Sequence, residues 1–244
     1  MSQVNTRIAQ ISMLRYNGQM KTRINRIIVG DIATNCWLYP LHEETEGGRL
    51  CIVIDPGDEA MLIIQKLKEL NWVPHSFFLT HGHFDHLAAL PDLISSFEKG
   101  VFKGSPKTGI HSLDAHYIGK NAIDAHHISM TAAGGDPSYV DALYKPMPEA
   151  DILFEEGDTA GPFKVLHVPG HTPGSVSFYD EKEGVLFSGD TLFRGDYGRT
   201  DLPGGSEDEI RKSLKRLLYL PEETLVCPGH GAAVTIGENI NLFS

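Results

Sequence analysis

The sequence predicts an α/β protein folded as a four-layer αββα sandwich, in which two sheets pack together and helices cover both outer faces. Two observations lead to this fold class. Short apolar segments alternate with amphipathic segments along the chain, as strands and helices do in layered folds. Strand-like segments also end in turns that carry glycine with histidine or aspartate, and both halves repeat this plan. We therefore expect two pseudo-symmetric halves whose strand ends share one edge.

Composition limits the class of protein. The chain has 244 residues, of which 41% are hydrophobic, and no Pro/Gly/Ser-rich linker divides it, so we expect a single domain over residues 1–244. A net charge of −11 without a basic cluster argues against a nucleic-acid partner. Three widely spaced cysteines indicate reduced core thiols and a cytoplasmic protein. We see no secretion signal, and no apolar segment approaches the ~18 residues of a membrane span.

The first half favours strands and helices in alternation. Residues 1–23 are polar and weakly patterned, and we expect a short strand with a loose leader there. Apolar residues recur near helical spacing between residues 59 and 70, and Asn71 then ends that helix. We expect strands at 26–29, 36–39, 50–54 and 75–80, and helices at 59–70 and 86–97.

Residues 98–150 break this rhythm because they are rich in glycine, proline, alanine and histidine. We expect a strand at 108–111, a helix at 112–123 and, over residues 104–149, an irregular or helical lid-like segment that forms one wall of a pocket. No second spacing rule ties the histidines of this segment to other ligand candidates. We therefore interpret them as surface or packing residues: His111, His116, His126 and His127.

Regular patterning returns in the second half. We expect strands at 152–154, 163–168, 175–179, 185–187 and 225–227, and a helix at 206–219. His171 lies on a turn fixed by proline and glycine, which places its side chain with little conformational search. Asp190 and His230 likewise follow strand-like segments. These three positions are therefore candidate metal ligands.

The densest group of metal-ligand residue types is the segment at 80–86, Thr-His-Gly-His-Phe-Asp-His, which follows an apolar strand. His81 and His83 are two residues apart and point to the same side of an extended chain. Gly82 allows a tight turn, so that Asp85 and His86 face a second point nearby. Two imidazoles for one ion and a carboxylate with an imidazole for another predict a two-metal cluster.

Four motifs in this order resemble the motif set of the metallo-β-lactamase fold superfamily, and the likeness is closest to glyoxalase II-like hydrolases over about residues 24–240. They are His81-x-His83-x-Asp85-His86, Pro-Gly-His171-Thr-Pro-Gly, Ser-Gly-Asp190-Thr-Leu-Phe and Pro-Gly-His230-Gly. The resemblance implies that His81, His83 and His171 bind a first metal, that Asp85, His86 and His230 bind a second, and that Asp190 bridges them.

The resemblance also implies two divalent metal ions, with zinc as the expected metal and iron or manganese as alternatives. A hydroxide between the ions would attack a thioester carbonyl, and Asp85 would orient the hydroxide and accept its proton. We expect Asp55, Thr80 and Thr172 to support the ligands.

Substrate recognition is less fully matched. Arg199 stands where the family carries a basic residue for a glutathione carboxylate, which implies a small anionic thioester as substrate, but Asp201 replaces a tyrosine and Ala89 a glycine. The chain ends at Ser244, soon after His230, as in the shorter bacterial glyoxalase II-like hydrolases.

Several functions remain open on the sequence. We expect hydrolysis of a thioester such as S-D-lactoylglutathione. Alternatives are an iron-dependent glutathione persulfide dioxygenase and a lactone hydrolase of the same fold. The acidic charge disfavours a phosphodiesterase or nuclease, and the filled ligand positions disfavour a non-catalytic binding module. The sequence leaves the oligomeric state open.

Overall fold

Two mixed sheets packed face to face form the centre of the protein in the computed structural model, which describes residues 24–243 and, before them, the backbone of 8–11, 15–16 and 19–20. The strands of the first half are β1 (Ile8–Ile11), β2 (Arg15–Tyr16), β3 (Gln19–Met20), β4 (Ile24–Val29), β5 (Thr34–Thr45), β6 (Gly48–Ile54), β7 (Trp72–Phe78), β8 (Lys107–His111) and β9 (Ile152–Phe154). Seven of them form one sheet in the order β1-β4-β5-β6-β7-β8-β9, and β2 pairs with β3 separately. The strands from β6 to β9 run parallel, so their C-terminal ends lie at one edge.

The second sheet contains the remaining strands. These are β10 (Thr159–Ala160), β11 (Phe163–His167), β12 (Val176–Asp180), β13 (Val185–Gly189), β14 (Leu225–Pro228) and β15 (Val234–Thr235). They pair in chain order, and β13 and β14 are parallel. Aromatic side chains fill the space between the sheets: the Phe78 and Phe178 ring centroids are 5.4 Å apart, and those of Trp37 and Phe187 are 6.0 Å apart. This contact gives the two inner layers.

Helices cover both outer faces. They are α1 (Ala60–Leu70), α2 (Leu90–Glu98), α3 (Ala122–Ala132), α4 (Ser138–Leu143), α5 (Glu207–Leu217) and α6 (Ile236–Phe243). The first four pack on the first sheet through one hydrophobic cluster, and α5 and α6 pack on the second sheet through another. The predicted αββα sandwich is therefore confirmed. No helix in the described part of the chain is long and apolar enough to cross a bilayer.

Two predicted helices were wrong in their bounds. The helix predicted at 86–97 is a 3-10 turn at Phe84–His86 followed by α2, which begins only at Leu90. Pro91 lies in the first turn of α2, where its missing N–H costs nothing and its ring disfavours helix just before it. The helix predicted at 112–123 is a 3-10 helix, Ser112–Tyr117, separated from α3 by Gly119 at φ 86°. Residues 104–149 are thus more regular than expected, since they include β8, α3 and α4.

Several other bounds shift by a few residues. The strand predicted at 75–80 is β7, Trp72–Phe78, which leaves Thr80 in the turn beyond it. Asn71 ends α1 as expected, and the structure shows it in the left-handed conformation, at φ 54°. The short strand predicted within residues 1–23 has a counterpart in β1, whereas the expected leader lies mostly outside the described residues. That residues 1–244 form a single domain stays a prediction.

Candidate metal centre

Seven side chains from four turns converge at one edge of the paired sheets. The turn after β7 supplies four of them, the turn before β12 supplies one, and the ends of β13 and β14 supply one each. Because β13 and β14 are parallel, Asp190 and His230 leave the sheet side by side. The seven residues are His81, His83, Asp85, His86, His171, Asp190 and His230, and all of them were expected from the sequence.

Their ligand atoms form three overlapping groups. The groups are His81 with His83 and His171, His81 with His86 and Asp190, and Asp85 with His86 and His230, and the atoms of each group lie within 4.8 Å of one another. Because the groups share His81 and His86, they make one continuous cluster. The arrangement can hold two cations close together, one at each end.

Asp190 lies between the two ends of this cluster. Its Oδ1 is 3.4 Å from His86 Nε2, and its Oδ2 is 3.6 Å from His171 Nε2 and 3.5 Å from His230 Nε2. Gly229 makes room for this carboxylate, because a Cβ there would lie 2.1 Å from Asp190 Oδ1. A carboxylate in this position can face a cation at either end.

Three histidine rings are fixed by hydrogen bonds outside the cluster. His86 Nδ1 donates to Asp55 Oδ2 at 2.9 Å, and His171 Nδ1 donates to the carbonyl of Arg199 at 2.7 Å. His81 Nδ1 is 3.1 Å from the hydroxyl of Thr80. Each bond leaves Nε2 as the atom that faces the cluster, as metal-binding histidines require.

Burial and neighbouring charges shift the histidine pKa values in opposite directions at the two ends of the cluster. Burial lowers the pKa of His81 well below its usual range, and the neighbouring histidines lower it further. The pKa of His83 falls for the same reasons, so both rings are neutral, which is the form that binds metals. His81 Nε2 and Asp190 Oδ1 are buried without a hydrogen bond. Such atoms fit a cation that would satisfy them.

At the other end, carboxylates dominate. Burial disfavours the charged forms, yet Asp85, Asp190 and Asp55 raise the pKa of His86 well above its usual range. Burial likewise opposes ionisation of Asp85, but His86 and His230 hold the pKa of its carboxyl well below its usual range. The carboxylates therefore favour positive charge at this end, and the donor set suits a divalent cation.

Asp55 and Thr80 support the cluster as expected. Asp55 Oδ1 accepts a hydrogen bond from the Thr80 backbone N–H at 2.8 Å, and its Oδ2 accepts one from the Thr80 hydroxyl at 2.7 Å. Asp55 has φ 52°, which is uncommon for a residue with a side chain. A single buried carboxylate thus joins the end of β6 to the turn after β7 and orients His86.

Two supporting residues were missed by sequence reasoning. Asp114 is fully buried and accepts hydrogen bonds from the backbone N–H groups of Gly82 and Gly174 and from the Thr172 hydroxyl, at 2.9, 2.8 and 2.7 Å. It thereby ties the turn of His81 and His83 to the turn of His171. Thr34, also missed, donates its hydroxyl to Asp85 Oδ2 at 2.8 Å. Neither lies in a recognisable motif, so the sequence carried no signal for them.

Arg199 lies at the mouth of the site but is already paired. Its Nε and one Nη donate to the two oxygens of Asp201 at 2.7 and 2.8 Å. The hydrogen bond from Arg199 lowers the pKa of Asp201 to about 2. The Arg199 backbone orients His171, whereas the role of its side chain in substrate binding stays a prediction.

The histidines of residues 104–149 stay outside the three donor groups. His127 is 2.8 Å from Asp141, and the His111 ring stacks on His167 with centroids 4.2 Å apart. His126 is buried in the cavity wall, where its Nε2 donates to the Tyr117 carbonyl at 2.9 Å. Burial lowers the pKa of His126 to about 4. His127 and His111 thus make surface and packing contacts, as the sequence interpretation expected, whereas His126 also lines the cavity of the site.

Comparison with known proteins gives a family match and several similar chains. The family described as the metallo-beta-lactamase superfamily matches residues 29–230. The Probable metallo-hydrolase YqgX of Bacillus subtilis is 34% identical over 211 residues, which cover 84% of this chain and 89% of that protein. The Hydroxyacylglutathione hydrolase GloC of Haemophilus influenzae is 34% identical over 197 residues, which cover 76% of this chain and 82% of that protein.

Solved structures show the same architecture. TTHA1623 in a di-iron-bound form has a TM-score of 0.71 and 35% identity, covering 89% of this chain and 97% of that one. The BLEG-1 B3 metallo-beta-lactamase has a TM-score of 0.71 and 34% identity, and the match covers 89% of this chain and 96% of that one. ETHE1 from Myxococcus xanthus has a TM-score of 0.62 and 25% identity, covering 90% and 81%.

Proposed function

The chain belongs to the metallo-β-lactamase superfamily, and from this premise we propose that it is a metal-dependent hydrolase that cleaves a thioester, with S-D-lactoylglutathione as the first substrate to test. The observation that carries the proposal is the continuous cluster of seven donors with the Asp190 carboxylate between its ends. Similarity to a relative described as a hydroxyacylglutathione hydrolase supports a thioester as the bond that is cleaved.

Two divalent cations fit the cluster. His81, His83 and His171 would hold one, Asp85, His86 and His230 would hold the other, and Asp190 would contact both. When bound, such ions polarise a carbonyl and lower the pKa of a water molecule. We propose zinc as the default because the donors are imidazole and carboxylate. The di-iron form of TTHA1623 supports iron as the alternative.

Asp85 is the residue that we propose as catalytic. Its carboxylate lies 3.3 Å from the Nε2 atoms of both His86 and His230, and the Thr34 hydroxyl holds its Oδ2. A carboxylate fixed in this way can orient a water molecule toward the thioester carbonyl and accept its proton. Arg199, at the mouth, would contact a carboxylate of the thiol half of the substrate.

The cellular setting that we propose is the cytoplasm. Cys36, Cys51 and Cys227 are free and buried, which supports a reducing compartment.

Parallel assays of the zinc-loaded and the iron-loaded protein test the reaction. We expect loss of S-D-lactoylglutathione with zinc and negligible oxygen uptake with glutathione persulfide and iron. Rapid oxygen uptake by the iron form, with no thioester loss in either form, would replace the hydrolase by a persulfide dioxygenase. The resemblance of the segment at 198–201, Gly-Arg-Thr-Asp, to persulfide dioxygenases of the same superfamily makes that outcome the specific alternative.

Variants connect the activity to the site. Asp85→Asn should lower kcat by about a hundredfold or more, the range of a lost general base. His127→Gln is the matched control, because His127 pairs with Asp141 on the surface and lies outside the donor groups. Metal content measured in both variants separates a loss of chemistry from a loss of ions.

A further inference from the structure

The cavity beside the donor cluster has an apolar wall on the side of α3 and α4. Ala88, Met130 and Leu143 line the cavity and pack, partly buried, against the core of the first sheet. Ile32, in the turn between β4 and β5, also lines the cavity and is 61% exposed. We call these four residues the acyl wall. Apolar side chains left open to a cavity next to a reactive site are suited to contact an apolar ligand.

Charge in the cavity disfavours an anionic group on this side. Two carboxylates outside the donor cluster line it, Asp31 and Asp58, whereas Asp85 and Asp190 belong to the cluster, where bound cations would offset their charge. Among the described lining residues Arg199 alone has a permanently cationic side chain, and Asp201 already holds that guanidinium with two hydrogen bonds. Arg199 also belongs to the segment after β13, whereas Met130 and Leu143 belong to α3 and α4.

Tyr139, on α4, is a further residue of this cavity. Its ring lines the same cavity, and partial burial together with the charges of Asp31, Asp58 and Asp85 raises the pKa of its phenol. A second carboxylate brought by a substrate would be repelled there, whereas a hydrocarbon chain would not.

The size of the cavity exceeds the needs of a small acyl group. Its volume is about 490 Å³, within the range of sites for small-molecule ligands. A lactoyl group, with about five non-hydrogen atoms of roughly water size, takes up little of this space, which the cations and the thiol half share. Resting on the thioester hydrolysis proposed above, we infer that the acyl wall binds an uncharged, apolar acyl arm of medium length, so that such thioesters are preferred to acetyl and to anionic acyl thioesters.

The length of the acyl chain determines the expected change in kcat/KM. Each methylene that is fully buried on the wall should raise kcat/KM by about fourfold, because its burial is worth that factor in binding. The wall is open on one side, so we expect at least about tenfold from acetyl to hexanoyl rather than the full product of four such factors.

The test uses N-acetylcysteamine thioesters, whose thiol half is neutral and constant. We compare acetyl, butyryl, hexanoyl and glutaryl thioesters, since glutaryl matches hexanoyl in length but carries a carboxylate. We expect kcat/KM to rise from acetyl to hexanoyl and to be lower for glutaryl than for hexanoyl. Binding of the uncleavable S-hexyl and S-ethyl thioethers, followed by calorimetry, should show the same preference for the longer chain.

Two methionine variants test the wall itself. Met130→Gln keeps the length of the side chain but makes its end polar, and should lower the hexanoyl-to-acetyl ratio of kcat/KM by about threefold or more. Met61→Gln is the control, because Met61 is 75% exposed on α1 and does not line this cavity. The control should keep the ratio of the unchanged protein.

The outcomes separate the two proposals. If the thioesters are cleaved at rates that do not depend on acyl length, the acyl wall is refuted and the hydrolase stands. If neither these thioesters nor S-D-lactoylglutathione is cleaved but S-hexyl binds more tightly than S-ethyl, the hydrolase is refuted and the wall stands as an apolar binding site. Equal binding of the two thioethers would overturn the inference, and so would a glutaryl thioester cleaved faster than hexanoyl.

Discussion

The carboxylate of Asp114 should be the strongest single connection between the two halves of the site. It is fully buried and holds Gly82 and Gly174, which flank the metal-ligand candidates of different halves. We propose Asp114→Asn as the perturbation, because asparagine has nearly the same shape and only exchanges one acceptor oxygen for an amide donor.

The structure gives the magnitude. Asp114 Oδ2 accepts from the Gly82 N–H and the Thr172 hydroxyl, and Oδ1 accepts from the Gly174 N–H. If the asparagine oxygen takes the Oδ2 position, two bonds survive without a charge, while the Gly174 N–H faces another donor. Loss of one buried charge-assisted hydrogen bond costs about 1.5–3 kcal/mol, and weakening of the other two adds to it. We therefore expect a loss of about 3 kcal/mol in the free energy of unfolding.

Urea unfolding of chelator-treated protein measures this loss without a contribution from metal. Zinc affinity, measured by competition with a chelator, should fall by about 10- to 100-fold, because the turns that carry His81, His83 and His171 lose their common anchor. Asp124→Asn is the control, since Asp124 is exposed in the first turn of α3 and should change stability by less than about 1 kcal/mol. Equal unfolding midpoints and equal zinc affinities for the two variants would refute this reasoning.

Three further predictions concern the ligands, the mouth of the site and the thiols. Asp190→Ala should reduce zinc from about two ions per chain to one or none in elemental analysis, because this carboxylate faces both ends of the cluster; retention of both ions would contradict its bridging position. Arg199→Ala should raise KM for S-D-lactoylglutathione by about threefold with a smaller change in kcat, since an exposed remote contact is mostly uniform binding, and an unchanged KM would remove the side chain from substrate binding. The three buried thiols should resist iodoacetamide at pH 8 until urea unfolds the protein, because burial raises their pKa and leaves little thiolate; mass spectrometry that finds any of them modified in the folded protein would be a contrary result. They are Cys36, Cys51 and Cys227.

Much of the fold followed from apolar patterning alone. The strands predicted at 36–39 and 50–54 lie within β5 and β6, and the helix predicted at 206–219 is α5, which begins after the capping residue Ser206. Buried strands are continuous apolar runs, and surface helices bury one stripe, so both leave a periodic signal. The two-residue strands β10 and β15 and the short α4 were missed because they span too few residues for any period.

The residues of the site that were predicted are those whose side-chain type itself indicates a metal ligand. Histidine and aspartate at strand ends signal ligands by their type and spacing, and the structure brings all seven candidates together. The groups that orient them gave no such signal, because they act through the backbone or through a single distant side chain. The Arg199 carbonyl that orients His171 would be present with any residue at that position. Asp114 reaches Gly174 across 60 residues of sequence, a pairing that only the folded topology defines.

The supporting hydrogen bonds imply that the donor cluster is arranged by the fold rather than by an ion. Asp55 fixes His86 from the first sheet, and the Arg199 carbonyl fixes His171 from the segment after β13. Both bonds require the protonated Nδ1 and so leave Nε2 directed inward before any cation arrives. A variant of another ligand, such as Asp190→Ala, removes a donor but leaves these bonds in place, and should therefore weaken metal binding more than folding. Removal of Asp114 instead disturbs the turns themselves, so stability and metal affinity should fall together.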